Sequence, residues 1–313
     1  IWNEPNAKSF WQPEGAQPEE YIKLVELTAP VIRRRIENAV IVGGAVMGMN
    51  TRFFEGCMER GLGQLIDKAS FHSYRFLPEK NYEDDIGRWR AIIAKHAPGI
   101  PLWHGEVGAA SQPGGAGGRA DYPWTLVRQA KWMLRRFLFD LRMRTELISY
   151  FHLVDLVGYR HSDAPTGKTN YKGLLHGTDY TPKPAYFAFQ CLCALFDAET
   201  ERTELPISCE ANENKESIDI EEIVSAGFTR QGKAMHVYWW PPGAEMERAD
   251  KHISLSFSSR TDVEFENPVL VEPLDGRVYR IDRAKRSGNT WLIPNAPLAD
   301  HPLIVTDRSI ALA

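Results

Sequence analysis

The amino-acid sequence predicts an α/β chain in two parts, a parallel sheet with helical crossovers followed by an antiparallel β domain. Three observations carry that expectation. Up to about residue 204, short apolar runs alternate with longer amphipathic ones, a βαβ rhythm that lays strands side by side in one direction. Beyond about Leu205 the runs shorten and turn residues fall between them, as in a β-sandwich. The composition, 43% hydrophobic and 25% charged over 313 residues, is that of a globular chain able to bury a sizeable core.

Pro18 to about Asn38 reads as the first helix, with Tyr21, Leu24, Val25, Leu27, Val31 and Ile32 at roughly helical spacing. Arg33, Arg34 and Arg35 close it, cations at the negative end of the helix dipole. Ala39–Val46 is a buried strand by composition. Thr51–Ala69 reads as a helix with Phe54, Met58, Leu62 and Leu65 on one side, and Ser70–Tyr74 as a short strand. Tyr82–His96 is a helix stopped by Ala97-Pro98-Gly99. Ile100–Val107 is a strand, Pro123 to about Arg144 a helix with proline in its first turn, Leu147–Val154 a strand and Lys183–Phe196 the last helix of this part. With a stub at Trp2 the count is five strands, ending near residues 4, 46, 73, 106 and 153. The glycine-rich stretch Gly114–Gly118 is a loop and lacks the spacing of a phosphate-binding turn, which disfavours a dinucleotide fold. Part of a (β/α)8 TIM barrel fits better.

In the second part, Glu222–Phe228, Ala234–Trp240, His252–Phe257, Val269–Glu272, Val278–Ile281, Trp291–Ile293 and Leu303–Thr306 read as strands. Asp275-Gly276 and Ser287-Gly288-Asn289 are hairpin turns, and Glu210–Glu222 is a solvated acidic loop.

The formal charge of −4 comes with no basic stripe, so nucleic acid is not an expected partner. No apolar run is long enough to span a membrane. The cysteines, Cys57, Cys191, Cys193 and Cys209, form neither a CxxC pair nor a zinc-like cluster. Cys191 and Cys193 would point to different sides of their helix and pair poorly. No metal or organic cofactor is called for.

Two carboxylates stand out. Glu4 and Glu106 fall at matched strand ends, 102 residues or three βα units apart. In a parallel barrel such ends converge on one face, and a carboxylate there is costly to bury without a purpose. Retaining glycoside hydrolysis needs two carboxyl groups about 5–5.5 Å apart, one to protonate the leaving group and one to attack.

The run Trp2-Asn3-Glu4-Pro5-Asn6 resembles the fourth-strand signature of the clan A glycoside hydrolases. The longer run IWNEPNAKSFW is similar to glycoside hydrolase family 39, the β-xylosidase and α-L-iduronidase family. Val42-Gly43-Gly44, Ile148-Ser149-Tyr150-Phe151, and Gly173-Leu174-Leu175 followed by Lys183-Pro184-Ala185-Tyr186 resemble its fifth strand, eighth strand, and final loop and helix. The likeness covers roughly residues 1–240. It implies that Glu4 is the acid/base, Glu106 the nucleophile on strand seven, and Asn3 the binder of the sugar 2-hydroxyl. It further implies that His72 binds sugar and that Tyr74 hydrogen-bonds the nucleophile. His104, of the same strand parity as Glu106, is a further inward-pointing candidate. Where the clan keeps a tryptophan platform, this chain has Phe151 followed by His152. Trp11, Trp103, Trp124 and Tyr159 offer other stacking faces.

The resulting expectation is strands 4–8 of a (β/α)8 TIM barrel over residues 1–204 and an antiparallel β-sandwich domain over 205–313. Because the chain opens directly on IWNEPN, the barrel is expected to be truncated at its N-terminal side. Expressed as given, the chain is then expected to fold poorly or be inactive. The expected activity is that of a retaining O-glycosidase on a carbohydrate substrate. The alternatives are a non-catalytic carbohydrate-binding or scaffold protein on the same barrel and, more remotely, a metal-dependent hydrolase. Sugar, linkage, compartment and oligomeric state are not fixed by the sequence.

Overall fold

The computed structural model describes residues 1–159, 167–205, 207–211, 218–243, 247–258 and 265–311. The chain forms two compact units. The first comprises Ile1–Trp124, Met143–Gly173 and Gly177–Asp179; the second comprises Thr125–Arg142, Leu174–His176 and Tyr180–Ala313.

In the first unit, helix α1 (Pro18–Arg35) starts where the Glu20 carboxylate accepts the Gln17 N–H at 2.8 Å, which satisfies a donor the helix itself leaves unpaired. Strand β1 (Val42–Met47), helices α2 (Thr51–Glu59) and α3 (Leu62–Leu65), strand β2 (Lys68–His72), helix α4 (Tyr82–His96), strand β3 (Leu102–Val107) and strand β4 (Leu147–Tyr150) follow. The four strands form one parallel sheet in the order β1-β2-β3-β4. Under it, Phe54 stacks on Trp89 with centroids 3.9 Å apart, and Phe71 packs on Trp89 at 5.4 Å.

Several expectations are corrected here. The helix expected over Thr51–Ala69 breaks at Gly61, whose φ of 90° is left-handed backbone, and β2 begins at Lys68. The stub at Trp2 is not a strand. Ile1 N and Glu4 N donate to Val42 O and Ala45 O at 2.6 and 3.0 Å, but φ is positive at Trp2 and Glu4, which interrupts extended geometry. The segment therefore lies along β1 without joining the sheet. β4 stops at Tyr150 rather than Val154.

The second unit contains helices α5 (Leu126–Arg142) and α6 (Pro184–Leu195), which pack together through Phe137 and Phe189, edge to face at 5.6 Å. Its strands are β5 (Glu201–Thr203), β6 (Ile207–Ala211), β7 (Val224–Arg230), β8 (Lys233–Trp239), β9 (Lys251–Ser258), β10 (Pro268–Glu272), β11 (Arg277–Arg280), β12 (Lys285–Ser287), β13 (Thr290–Leu298) and β14 (Leu303–Asp307), with α7 (Arg308–Ala311) at the end. They make a six-stranded sheet, β11-β10-β14-β8-β7-β5, and a four-stranded sheet, β12-β13-β9-β6. All pairings are antiparallel. The two sheets bury a shared core of Tyr238, Phe257, Phe265, Leu270, Trp291, Ile293 and Val305. Three strands escaped the sequence reading. β5 and β12 are three residues each, and β6 claims Glu210, the start of the expected acidic loop, by pairing with β9. Residues 212–217 of that loop lie outside the described residues. No helix among the described residues is long and apolar enough to cross a membrane. The four cysteines are free.

A buried charge chain ties this unit together. His301 contacts Glu272 through Nε2 at 2.9 Å and Asp300 through Nδ1 at 3.1 Å, and Asp300 pairs with Lys131 of α5 at 2.7 Å. Burial opposes the imidazolium, but the hydrogen bonds to Asp300 and Glu272 outweigh it and raise the His301 pKa above 6.5. The clamp's contribution is therefore complete below pH 6.5 and is lost as pH rises through the folded pKa. Replacing His301 by Gln should lower unfolding stability by about 3 kcal/mol on the acid side, with the gap to the unmodified protein narrowing at alkaline pH. Denaturant titrations across pH would read this, and a pH-independent gap would count against the imidazolium.

Candidate active site

The candidate site lies in the first unit, where the segment at residues 1–4 and the ends of β2 and β3 bring polar side chains together. Tyr21 of α1 is fully buried; its hydroxyl accepts from Gly44 N at 2.9 Å and donates to Ile1 O at 3.0 Å. One phenol thus binds the segment carrying Glu4 to the irregular middle of β1. That irregularity is a register shift between Gly43 and Val46, with φ of 87° at Gly44 and 44° at Ala45. A Cβ on Gly44 would also meet Ser70 O at 2.9 Å, so glycine is required both for the turn and for the approach of β2. Asn6 finishes the anchoring: its amide nitrogen donates to Met47 O at 3.1 Å and its amide oxygen accepts from Met47 N at 2.8 Å.

These constraints deliver Glu4 to His72, at the end of β2. The imidazole Nδ1 lies 3.0 Å from Glu4 Oε1 and 3.6 Å from Glu106 Oε2. Tyr74 donates its hydroxyl to Glu106 Oε1 at 2.7 Å. Glu4 and His72 are buried, while the Glu106 side chain keeps 23% exposure. A ring nitrogen of His72 and one oxygen of each glutamate all lie within 4.8 Å of one another. Burial pushes the Tyr74 hydroxyl well above its usual pKa, and the neighbouring Glu106 charge adds to this. The phenol is therefore a fixed donor over the working pH range. Such a cluster sets two carboxyl groups about one imidazole, with an opening for a ligand at Glu106.

Of the residues singled out from sequence, Glu4, His72, Tyr74 and Glu106 come together. Asn3 is half-buried beside Glu4. Phe151 is half-buried just past β4, its N–H on Val107 O at 2.8 Å. His104 does not join them. β3 shifts register between His104 and Val107, so the alternation that would align His104 with Glu106 is broken. His104 is instead fully buried, stacked on Phe71 at 4.5 Å, with its Nε2 accepting from Ser73 N at 3.1 Å. It holds the backbone between His72 and Tyr74. Among the aromatic candidates, Trp103 donates to Glu146 at 2.5 Å and Trp124 is buried, donating to Arg119 O at 2.8 Å. Trp11 packs edge-on against Trp2 at 5.7 Å. Burial raises the Tyr159 pKa, and the Glu106 and Glu4 charges raise it further.

Lys172 was missed by sequence reasoning. It is 2% exposed, with Nζ 5.6 Å from the centroid of the Tyr74 ring. A lysine in a loop with no strand or helix period leaves no signal of burial. Glu55, Glu59 and His96 form a further group with ligand-like spacing, crossed by the Lys95–Glu55 ion pair at 3.3 Å.

No family model matches the chain. Over 78 residues it is 35% identical to a beta-xylosidase of Geobacillus stearothermophilus, a stretch that covers 24% of this chain and 15% of that protein. Its fold is similar to that of a GH30 endoxylanase from Clostridium papyrosolvens C71, with a TM-score of 0.58 and 12% identity over 97% of this chain and 63% of that one. It is also similar to a GH39 beta-xylosidase from Caulobacter crescentus, with a TM-score of 0.56 and 16% identity over 98% of this chain and 65% of that one. The chain thus spans a little under two thirds of the length of these two structures. At such identities the likeness is one of fold, an α/β chain with a parallel sheet followed by antiparallel sheets.

The Tyr21 tie can be tested directly. Tyr21→Phe leaves the buried Gly44 N–H without its acceptor and should cost about 1–3 kcal/mol of stability by urea titration. An unchanged midpoint would show that Tyr21 does not anchor the segment.

Proposed function

We propose that this chain carries the active site of a retaining glycoside hydrolase, and that its parallel part corresponds to strands 4–8 of a (β/α)8 barrel. In this reading residues 1–4 stand for strand four, β1–β4 for strands five to eight, residues 1–204 for the barrel portion and 205–313 for the sandwich. The observation that carries the proposal is the pair of carboxylates, Glu4 beside β1 and Glu106 near the end of β3, with oxygens within 4.8 Å of each other. Retention requires carboxyl groups about 5–5.5 Å apart, whereas inversion needs about 6.5–9.5 Å to admit a water.

Glu106 attacks the anomeric carbon with the oxygen not held by Tyr74, while Glu4 gives its proton to the leaving oxygen. Water then displaces Glu106, and Glu4 takes the water's proton. His72 spaces the two carboxylates, and Tyr74 fixes the rotation of Glu106, which keeps the attacking oxygen aligned. Asn3, Phe151 and Tyr159 line the approach as sugar-binding groups. Relatives named for xylosidase and xylanase activity make β-xylosides the first substrates to try.

Glu106→Gln in the full-length protein should abolish turnover, by at least about three orders of magnitude. Glu4→Gln should do the same for poor leaving groups and spare more of the first step for activated aryl glycosides. A 2-fluoro glycoside should label Glu106. Sugar binding without release or labelling would overturn the proposal in favour of a non-catalytic carbohydrate-binding protein.

A further inference from the structure

The most anomalous side chain in the first unit is Lys172. Its Nζ is buried and has no hydrogen-bond partner among the described residues. A bare ammonium in such a place is costly unless an opposite charge faces it. The chain on either side of the lysine is held by hydrogen bonds. Asn170 and Leu156 exchange hydrogen bonds at 3.0 and 3.1 Å, Ser111 N donates to Tyr171 O at 3.0 Å, and Gly173 N donates to Asp155 Oδ1 at 2.8 Å. A Cβ on Gly117 would lie 2.7 Å from Nζ, so the loop closes over the ammonium with a glycine.

The groups around Nζ come from several segments. Tyr74, just past β2, presents its ring face, and Glu106 of β3 contributes its charge. Beyond β4, His152 lies close enough for the ammonium to oppose its protonation. His152 itself is kept neutral by burial, with Nδ1 2.6 Å from Val154 O. Asn170 contributes only a neutral amide. Asp155 accepts from Gly173 N and acts on His152, and among the described residues Glu106 is the carboxylate whose charge supports the Lys172 ammonium. Burial lowers the lysine pKa to about 8 and Glu106 opposes that fall, so the ammonium persists at neutral pH.

We propose that Lys172 is a positioning residue for Glu106: its ammonium supplies the fixed positive charge that stabilises the carboxylate as it is released from the glycosyl-enzyme, and it braces the Tyr74 ring that holds that carboxylate. This rests on Glu106 being the nucleophile. In the second step the water oxygen bonds to the anomeric carbon, the bond from that carbon to Glu106 breaks with its electron pair staying on Glu106, and the water's proton goes to Glu4. Negative charge thus grows on Glu106 in the second step and fades from it in the first. A fixed cation facing it favours the second step and slightly opposes the first.

The test is steady-state and reactivation kinetics of Lys172→Met and Lys172→Arg in the full-length protein, with an activated aryl β-glycoside and its 2-fluoro analogue. Lys172→Met should lower kcat by roughly tenfold to a hundredfold, lower KM alongside it, and leave kcat/KM nearly unchanged. The 2-fluoro intermediate should reactivate more slowly by a similar factor. In the unmodified protein kcat should fall as pH rises through about 8, and Lys172→Arg, which keeps its charge, should carry activity to higher pH. Equal losses in kcat and kcat/KM, an alkaline fall unchanged in Lys172→Arg, or an effect confined to substrates bearing an anionic group would each overturn the proposal. If Lys172→Met does not fold, the pH profile of Lys172→Arg still decides it. Absence of label on Glu106 in the unmodified protein would instead remove the underlying reading of the nucleophile.

Discussion

The first unit depends on the arrangement of two carboxylates about one imidazole. If both were ionised, oxygens less than 5 Å apart would repel by about 3 kcal/mol at an intermediate effective dielectric. His72 stands between them, 3.0 Å from one and 3.6 Å from the other. The imidazole fixes the spacing of the two, so its own placement is constrained from behind. Gly105 is part of that constraint: a Cβ there would come within 2.2 Å of Ser70 Oγ and 3.4 Å of His72 Nε2. His104 completes it from the core side by accepting the Ser73 N–H.

Irregular backbone does much of the positioning. A regular β1 would leave Gly44 N facing its neighbours in the sheet, whereas the shifted register turns it to the Tyr21 hydroxyl, which also holds Ile1 O. The shift in β3 separates the paths of His104 and Glu106. In both strands a departure from the ladder points a polar group where a regular strand could not, and such departures are common beside functional sites.

The second unit solves its polar burial differently. The Glu272–His301–Asp300–Lys131 chain pairs each buried charge with an opposite one. His236 in the same unit is buried with no hydrogen-bond partner among the described residues, and its pKa is lowered to about 3 by burial. As pH falls below 6.5, the unfolded chain can bind a proton there that the folded one refuses, so this histidine opposes acid stability while the clamp supports it.

The sequence by itself determined the α/β alternation and most of the long elements, and it singled out four residues that the structure brings together, Glu4, His72, Tyr74 and Glu106. Apolar periodicity is a local property and marks the elements, Glu4 and Glu106 stand out as carboxylates at expected strand ends, and His72 and Tyr74 come from the resemblance to a known family. The tertiary structure decided what depends on a register or on residues far apart in the chain. It made the Trp2 segment an irregular edge, put His104 in the core and gave the three-residue β5 and β12 their partners. It also buried Lys172 beneath Tyr74, 98 positions away. A register shift reverses side-chain direction without changing composition, and the burial of a loop lysine follows only from what folds over it.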